Sequence, residues 1–239
     1  VHDGFGGNVE FLVSGGAALN KDVAVYFDTL GFKVLEGFGM TEAAPMITFP
    51  RPSKVKLGSV GQALPGLKVE IRDGEIVAKG PNIMKGYYNR PEETADVLKD
   101  GWLYTGDLGK IDKDGFLYIT GRKKEIIVLP NGKNINPVGL EEKLEKIAFV
   151  KEAGVFMHKD VLHAVIAPDY NELANKEIKD PNQYFKEVLM PEFNKELTSY
   201  KRIMKFSLIK EEIPRTRLGK IQRFKLAELY EKPVQKKTS

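Results

Sequence analysis

Cysteine is absent from the chain of 239 residues, which excludes disulfides, thiolate zinc sites and cysteine nucleophiles. Long apolar runs are also missing, and no signal peptide opens the chain. We therefore expect a cytoplasmic protein without a transmembrane segment, which is compatible with peripheral contact to a membrane. The net charge is only +4, which fits an enzyme of anionic substrates and does not indicate nucleic-acid binding.

Histidine is scarce as well, and His2, His158 and His163 share no motif. His158 and His163 flank a predicted hairpin turn without a third candidate ligand nearby. We therefore expect the histidines at the surface and not in a metal site. The chain also contains no Walker-type phosphate loop, no G-x-S-x-G elbow and no dinucleotide fingerprint.

The pattern of the chain changes twice. Residues 1–53 contain short strands around a helix that Asn20 can cap, which is typical of an α/β fold. Residues 54–121 contain short strands with Asp-Gly turns, which predict a small antiparallel barrel or sandwich. From residue 126 onward strands and helices alternate, which predicts an α+β domain. In it we expect a helix that Asn136 caps, a helix kinked or broken at Pro191 and a closing helix over residues 221–230.

Two loops near the start of the chain follow predicted strands. Small residues in Gly15-Gly16-Ala17-Ala18 let a flat or anionic ligand approach the backbone, although a tight turn is the simpler interpretation. Farther on, Phe38 lies between two glycines and can stack on a base. The pair Thr41-Glu42 can contact a phosphate oxygen and hold hydrated Mg²⁺. A helix N-terminus capped by Thr41 explains that stretch about equally well.

Two further polar residues are candidates for ligand contacts. Asp107, in a Thr-Gly-Asp turn, can accept hydrogen bonds from vicinal hydroxyls, as acidic residues do for ribose. The simpler interpretation is an Asx turn in which Asp107 binds its own backbone. Lys220 ends the basic loop 214–220 and can neutralise charge on a reacting phosphoryl group, whereas a lone loop lysine is usually solvated.

Seven stretches occur together in the order typical of one superfamily, and they run nearly from end to end. They are SGGAAL (14–19), GFGMTE (37–42), GSVGQALP (58–65), WLYTGD (102–107), GRKKE (121–125), GKNINP (132–137) and PRTRLGKIQR (214–223). The chain thus resembles the adenylate-forming superfamily of acyl-CoA synthetases, luciferases and peptide-synthetase adenylation domains. The resemblance implies the end of an α/β large domain (1–53), a β-barrel-like subdomain (54–121), a hinge (122–125) and a mobile α+β domain (126–239).

The resemblance also implies a nucleotide site in the first half of the chain. Thr41 would contact the α-phosphate of ATP, and Glu42 would hold Mg²⁺. Phe38 stands where the family commonly has Tyr, so that stacking on adenine survives without a phenol hydrogen bond. The remaining nucleotide-binding residues that the resemblance implies are Gly16, Ala17 and Ala18 along the adenine, Gly39, and Asp107 and Arg122 on the ribose hydroxyls.

In the second half, the resemblance makes Lys220 the catalytic lysine of adenylation and Lys124 the hinge residue. Gly132 would lie beside the channel for the pantetheine of CoA. Glu141 matches the acidic residue after the Asn-Pro segment, although Val138-Gly139 replaces the acidic residues that are usual in the family. Because we expect this position to be structural, the departure leaves the functional interpretation unchanged.

The function implied is that of an AMP-forming acyl-CoA synthetase, most like the long-chain fatty acid–CoA ligases. An aryl-CoA ligase or a peptide-synthetase adenylation domain is the alternative among enzymes. The phosphate loop of the family and most of its acyl pocket precede the region that matches Ser14. We therefore expect a C-terminal half that lacks its N-terminal partner segment and is inactive alone. A nucleotide-binding or structural fragment without turnover is the alternative outside enzymes.

Overall fold

A division between Lys124 and Glu125 separates the chain into two units, residues 1–124 and 125–239. The computed structural model describes residues 1–17, 19–216 and 219–231. In these ranges no helix combines the length and the apolar character that crossing a membrane requires.

The first unit begins with the predicted α/β part. The side chain of Asn20 accepts hydrogen bonds from the amides of Asp22 and Val23, which confirms it as the cap of the first helix. The two strands on either side of this helix in sequence pair in parallel, as a β-α-β connection requires. The elements are β1 (Leu12–Ser14), α1 (Lys21–Thr29) and β2 (Val34–Glu36).

A small antiparallel sheet follows, with β3 (Phe38–Gly39), β4 (Met46–Phe49) and β5 (Gln62–Ala63) in that order. Gly39 is required here because a Cβ atom on it would lie 1.9 Å from the carbonyl oxygen of Pro45. Since β4 and β5 lie on opposite sides of residue 53, the sheet joins the two predicted subdomains, whose boundary stays a prediction.

The hairpins of residues 68–122 build the predicted antiparallel β subdomain, which is a curled half-barrel in the order β10-β9-β7-β6, with β8 added on β9. Asp73 and Gly74 have φ angles of 50° and 81°, the left-handed conformation that a two-residue hairpin turn demands. The elements are β6 (Lys68–Arg72), β7 (Glu75–Lys79), α2 (Pro91–Val97), β8 (Leu98–Lys99), β9 (Trp102–Ile111) and β10 (Leu117–Arg122).

The second unit is the predicted α+β domain. Its central sheet has the order β13-β14-β15, antiparallel between the first two strands and parallel between the last two. The side chain of Asn136 caps the helix that begins at Pro137, as predicted. The elements are β11 (Ile127–Val128), β12 (Asn134–Ile135), α3 (Pro137–Glu145), β13 (Val150–His158), β14 (Val161–Pro168), α4 (Tyr170–Asn175) and β15 (Lys205–Leu208).

Helical structure continues through Pro191, so the helix is not broken there, and the alternative of a kink stays a prediction. A π-helical segment, Phe185–Leu189, lies between α5 (Pro181–Tyr184) and α6 (Met190–Lys195). Such a segment changes the hydrogen-bond pattern of the preceding turn, where an α-helix would need the amide hydrogen that proline lacks.

The closing helix begins later than predicted. It is α7 (Leu226–Glu231), preceded by a 3-10 turn at Arg223–Lys225, whereas Ile221 forms a β-bridge with Arg215. The surface position expected for His163 is also wrong. Its side chain lies in the interior with 2% exposed, and the Tyr230 ring of α7 packs 4.6 Å from it between centroids.

Candidate active site

Asp107 and Arg122 lie directly opposite each other on β9 and β10. The Nε atom of Arg122 donates to Oδ1 of Asp107 at 2.5 Å. Asp107 has 10% of its side chain exposed and Arg122 42%, so the carboxylate is buried while part of the guanidinium faces solvent. The structure therefore brings together the two residues expected on a ribose, and Asp107 belongs to a strand instead of the alternative Asx turn.

Glu75, which the sequence did not mark, supports this pair from the neighbouring strand β7. Its Oε1 atom accepts from the amide of Gly106 at 2.9 Å, and its Oε2 atom accepts from Nζ of Lys123 at 2.8 Å. Only 6% of the Glu75 side chain is exposed. Glu75 thus fixes both residues that adjoin the pair, one before Asp107 and one after Arg122.

The Thr41-Glu42 pair lies on a 3-10 turn, Thr41–Ala43. Met40 occupies the cap position, and no side chain caps the turn, so the alternative in which Thr41 acts as the cap is wrong. Thr41 is exposed and Glu42 is half-buried. Both side chains lie on the short connection between β3 and β4.

The Glu42 carboxylate has one protein partner among the described residues. The phenol of Tyr87 donates to Oε1 of Glu42 at 2.7 Å, and this bond, together with burial, raises the pKa of Tyr87 to about 12. Magnesium binds through one or two carboxylates together with substrate phosphates. A single carboxylate fits such a shared site, and no cluster of three or more acidic or histidine side chains in the described ranges offers a dedicated cage.

The two early loops meet at the ends of β1 and β2. The amide of Gly37 donates to the carbonyl of Ser14 at 3.0 Å, and the amide of Leu19 donates to the Glu36 carboxylate at 2.9 Å. Burial raises the pKa of Glu36, and the Leu19 amide opposes this change. The structure thus brings the SGGAAL stretch against the GFGMTE stretch.

The residues expected along the adenine differ in accessibility. Gly16 has a φ of 83° and open space where a Cβ would lie, and Ala17 is exposed, whereas Ala18 lies outside the described residues. Phe38 is only 6% exposed and packs in the core with Ala43 and Ile47. Since little of its ring surface is accessible, stacking on a base stays a prediction for Phe38.

In the second unit, Lys220 closes a short loop. The amide of Thr216 donates to the Lys220 carbonyl at 2.7 Å, and the amide of Lys220 donates to Oγ1 of Thr216 at 3.2 Å. The guanidinium of Arg215 binds the Gly219 carbonyl at 3.0 Å. The backbone on both sides of Lys220 is therefore fixed, and its side chain is half-buried.

Arg223, three residues after Lys220, anchors the loop to the domain core. Its guanidinium forms a close ion pair with Glu141 of α3 and donates to the Val155 carbonyl at 2.8 Å. The Glu141 carboxylate also accepts from the Val155 amide at 2.7 Å. Glu141 therefore links α3 to both Arg223 and β13.

Gly132 lies in the β11–β12 hairpin, with a φ of 75° and no atom within 4 Å of a Cβ built on it. The hairpin ends one residue before Asn136, the cap of α3. Lys124 is exposed and is the last residue of the first unit. The roles of Gly132 and Lys124 stay predictions.

A sequence model of the AMP-binding enzyme family matches residues 2–88, and the model of its C-terminal domain matches residues 124–237. The chain belongs to the AMP-binding enzyme family. The two matches lie in the two units of the structure.

Curated relatives of this member of the AMP-binding enzyme family are CoA ligases of different acids. A long-chain-fatty-acid–CoA ligase of Yersinia pestis is 36% identical over 232 residues, which are 90% of this chain and 39% of the relative. A 2-succinylbenzoate–CoA ligase of Listeria monocytogenes is 35% identical over 228 residues, 94% of this chain and 47% of the relative. The chain thus spans less than half the length of both.

Solved structures give the same assignment. ATP-bound MatB from Rhodopseudomonas palustris aligns with a TM-score of 0.78 and 30% identity, over 93% of this chain and 46% of that one. The O-succinylbenzoate CoA synthetase of Bacillus subtilis in complex with ATP and a magnesium ion has a TM-score of 0.72 and 32% identity, over 90% of this chain and 46% of that one. These matches confirm the α/β and α+β fold of the superfamily.

Sequence reasoning missed three residues that support the candidate site, namely Glu75, Tyr87 and Arg223. Each contacts a residue that is 31 or more positions away in the chain. Arg223 ends one of the matching stretches, whereas Glu75 and Tyr87 lie in none of them. The pairing itself gives no sequence signal, since contacts at such separations depend on the fold.

Proposed function

We propose that this chain is the C-terminal part of an AMP-forming acid–CoA ligase, most like the long-chain fatty acid–CoA ligases. The observation that carries the proposal is the Asp107–Arg122 pair, whose Arg122 lies two residues before Lys124, the last residue of the first unit. The similarity to CoA ligases over 90% or more of the chain supports it. The partner segment is an N-terminal half of the same protein, which would supply the phosphate loop and most of the acyl pocket.

In the first step, the carboxylate of the acid attacks the α-phosphorus of ATP, and acyl-AMP and pyrophosphate form. Thr41 would contact the α-phosphate, and the ammonium group of Lys220 would neutralise negative charge that develops on the transferring group. Glu42 is the residue that would hold Mg²⁺, which when bound supplies positive charge to the phosphate oxygens.

The nucleoside would bind where Asp107 and Arg122 meet. A buried carboxylate accepts hydrogen bonds strongly, and Arg122 leaves part of the Asp107 acceptor capacity for vicinal ribose hydroxyls. The adenine would lie along Gly16, Ala17, Ala18, Phe38 and Gly39. The fixed pair would thus orient the α-phosphate without a rearrangement of the sheet.

In the second step, the thiol of CoA attacks acyl-AMP and releases AMP. A rotation about Lys124 would remove Lys220 from the site and bring the Gly132 hairpin to it. The exposed run Lys123-Lys124 suits such a pivot, because a hinge must be solvated in both states. A cytoplasmic location, with peripheral contact to membranes that contain fatty acids, belongs to the same proposal.

An aryl-CoA ligase is the second candidate, favoured by the similarity to 2-succinylbenzoate–CoA ligases. A peptide-synthetase adenylation domain uses the same first step. A nucleotide-binding fragment would catalyse neither the first nor the second step. A panel of fatty, aryl and amino acids in acid-dependent ATP–pyrophosphate exchange with the full-length protein separates these candidates.

The role of Lys220 is tested by following the two steps separately in the full-length protein. Lys220→Ala should lower ATP–pyrophosphate exchange by about 100-fold or more, since it removes the positive charge that would stabilise the transferring group. It should spare thioester formation from supplied acyl-AMP and CoA. Lys210→Ala, which changes an exposed lysine of the same unit, is the control. Equal loss of both steps in Lys220→Ala would refute the assigned role.

A further inference from the structure

A short segment, residues 82–87, holds the turn that carries Glu42. The side-chain amide of Asn82 donates to the carbonyls of Ala43 and Met46 at 2.6 and 2.8 Å. The amide of Met84 donates to the Glu42 carbonyl at 2.8 Å. With the bond from Tyr87 to the Glu42 carboxylate, the segment fixes both the backbone and the side chain of this turn.

The turn needs this support because its own residues do little to stabilise it. It is three residues long and has no side-chain cap, and Ala44 at its end has a left-handed φ of 42°. A glutamate side chain has several rotatable bonds, and its carboxylate loses conformational freedom when it binds a cation. A hydrogen bond that restricts the carboxylate beforehand reduces this loss.

Tyr87 is itself well placed to impose such a restriction. Its amide donates to Oγ1 of Thr94 at 2.9 Å, and that hydroxyl donates to the Arg90 carbonyl at 2.7 Å. The backbone of Tyr87 is therefore tied to the first turn of α2. Its phenol occupies Oε1 of Glu42, and no hydrogen bond from the described residues occupies Oε2.

We propose that Tyr87 is a positioning residue that orients the Glu42 carboxylate and leaves Oε2 to bind the divalent cation of the metal–ATP complex. The inference rests on the proposed function, in which Glu42 is the protein ligand of Mg²⁺. Hydrogen-bond partners of ligating carboxylates commonly change metal affinity by about 10-fold or more when they are removed.

Tyr87→Phe tests this proposal in the full-length protein because it removes one oxygen atom and keeps the ring. The Mg²⁺ concentration for half-maximal ATP–pyrophosphate exchange should rise about 10-fold, while the KM for the acid stays unchanged. Tyr88→Phe is the matched control, since Tyr88 is the adjacent residue and is 90% exposed. It should leave the Mg²⁺ dependence as in the wild type.

Binding of Mn²⁺ to the complex with a non-hydrolysable ATP analogue, followed by electron paramagnetic resonance, gives a readout without turnover. Tyr87→Phe should weaken Mn²⁺ binding about 10-fold, in the direction of the Glu42→Gln variant, and Tyr88→Phe should not. Unchanged Mn²⁺ binding in Tyr87→Phe would overturn the proposal. A uniform loss of affinity for acid, nucleotide and cation would also overturn it, because this is the effect of a merely structural residue.

Failure of the proposed function gives a different result. Wild-type protein without acid-dependent exchange, but with Mn²⁺–nucleotide binding that Glu42→Gln weakens, contradicts the ligase activity only. The comparison of Tyr87→Phe with Tyr88→Phe in the Mn²⁺ titration then still decides the role of Tyr87.

Discussion

At the scale of single residues, buried carboxylates hold the functional segments of both units. Glu75 binds the Gly106 amide and Lys123, and Glu141 binds the Val155 amide and Arg223. Each carboxylate therefore has a backbone donor and a cation, which compensates for the loss of hydration on burial. These contacts hold the residues on either side of the Asp107–Arg122 pair and the residue Arg223 that follows the Lys220 loop.

Glu141→Ala should destabilise the second unit by about 3 kcal/mol, because it leaves the largely buried guanidinium of Arg223 with the more distant carboxylate of Glu125, at 4.0 Å, and the Val155 amide without its acceptor. Urea denaturation of the chain measures this change. Glu142→Ala alters the neighbouring exposed carboxylate on α3 and should change stability by less than about 0.5 kcal/mol. A loss in Glu141→Ala no larger than in this control would contradict the role of the ion pair.

At the scale of elements, α7 covers the side chain of His163 on β14. Leu226 and Leu229 of this helix pack against Phe156 and Val165 of the sheet. In the same region, neither ring nitrogen of His163 has a partner in the described part of the chain. Burial lowers the pKa of His163, and nearby His158, Lys205 and Lys159 lower it further. Packing of α7 thus favours the neutral imidazole.

Stability should therefore depend on pH through His163. Because its pKa in the folded state lies below the ordinary 6.5, the unfolded chain binds the proton more readily. The stability that neutral His163 contributes is fully present above about pH 6.5. It is lost as the pH falls from there through the lower pKa of the folded state. Urea denaturation between about pH 7.5 and about pH 5 measures the free energy of unfolding. Through His163, this free energy should fall by up to about 1.4 kcal/mol for each pH unit of acidification.

His163→Phe should flatten this pH dependence, since it keeps an aromatic ring without a titrating group. His2→Gln removes an exposed histidine of the first unit and should leave the dependence as in the wild type. Parallel stability curves for His163→Phe and the wild type would exclude His163 as the source.

At the scale of the whole molecule, the candidate residues are divided between two units. Glu42, Asp107 and Arg122 belong to the first unit and Lys220 to the second. The proposed chemistry needs both units and also the segment that provides the phosphate loop in the family. The chain covers 39% of the Yersinia pestis relative, which agrees with a protein in which further segments complete the site.

The chain by itself should give no acid-dependent ATP–pyrophosphate exchange, whereas the full-length protein should give it with at least one class of carboxylic acid. The reason is that the phosphate loop of the family belongs to the N-terminal half that the proposal assigns to the rest of the protein. Circular dichroism of the chain provides the control that it is folded. Robust exchange by the isolated chain would show that it contains a complete site.

The sequence by itself determined the local features that short-range chemistry governs. Asp73-Gly74 predicted a hairpin turn because glycine adopts positive φ without strain, and Asn20 and Asn136 predicted helix starts because their side chains cap free amides. The ordered motifs also predicted the family. Pro191 and the start of α7 show the limit of local rules, since a π-helical segment and a β-bridge replaced the expected break and helical turn.

Only the tertiary structure decided which residues support the candidate site. Tyr87 meets Glu42 across 45 positions, and Arg223 meets Glu141 across 82. The burial of His163 likewise depends on a helix 63 or more residues later in the chain. No local propensity contains such pairings, because a hydrogen bond or an ion pair between distant residues forms only when packing of the intervening elements brings the two groups within reach.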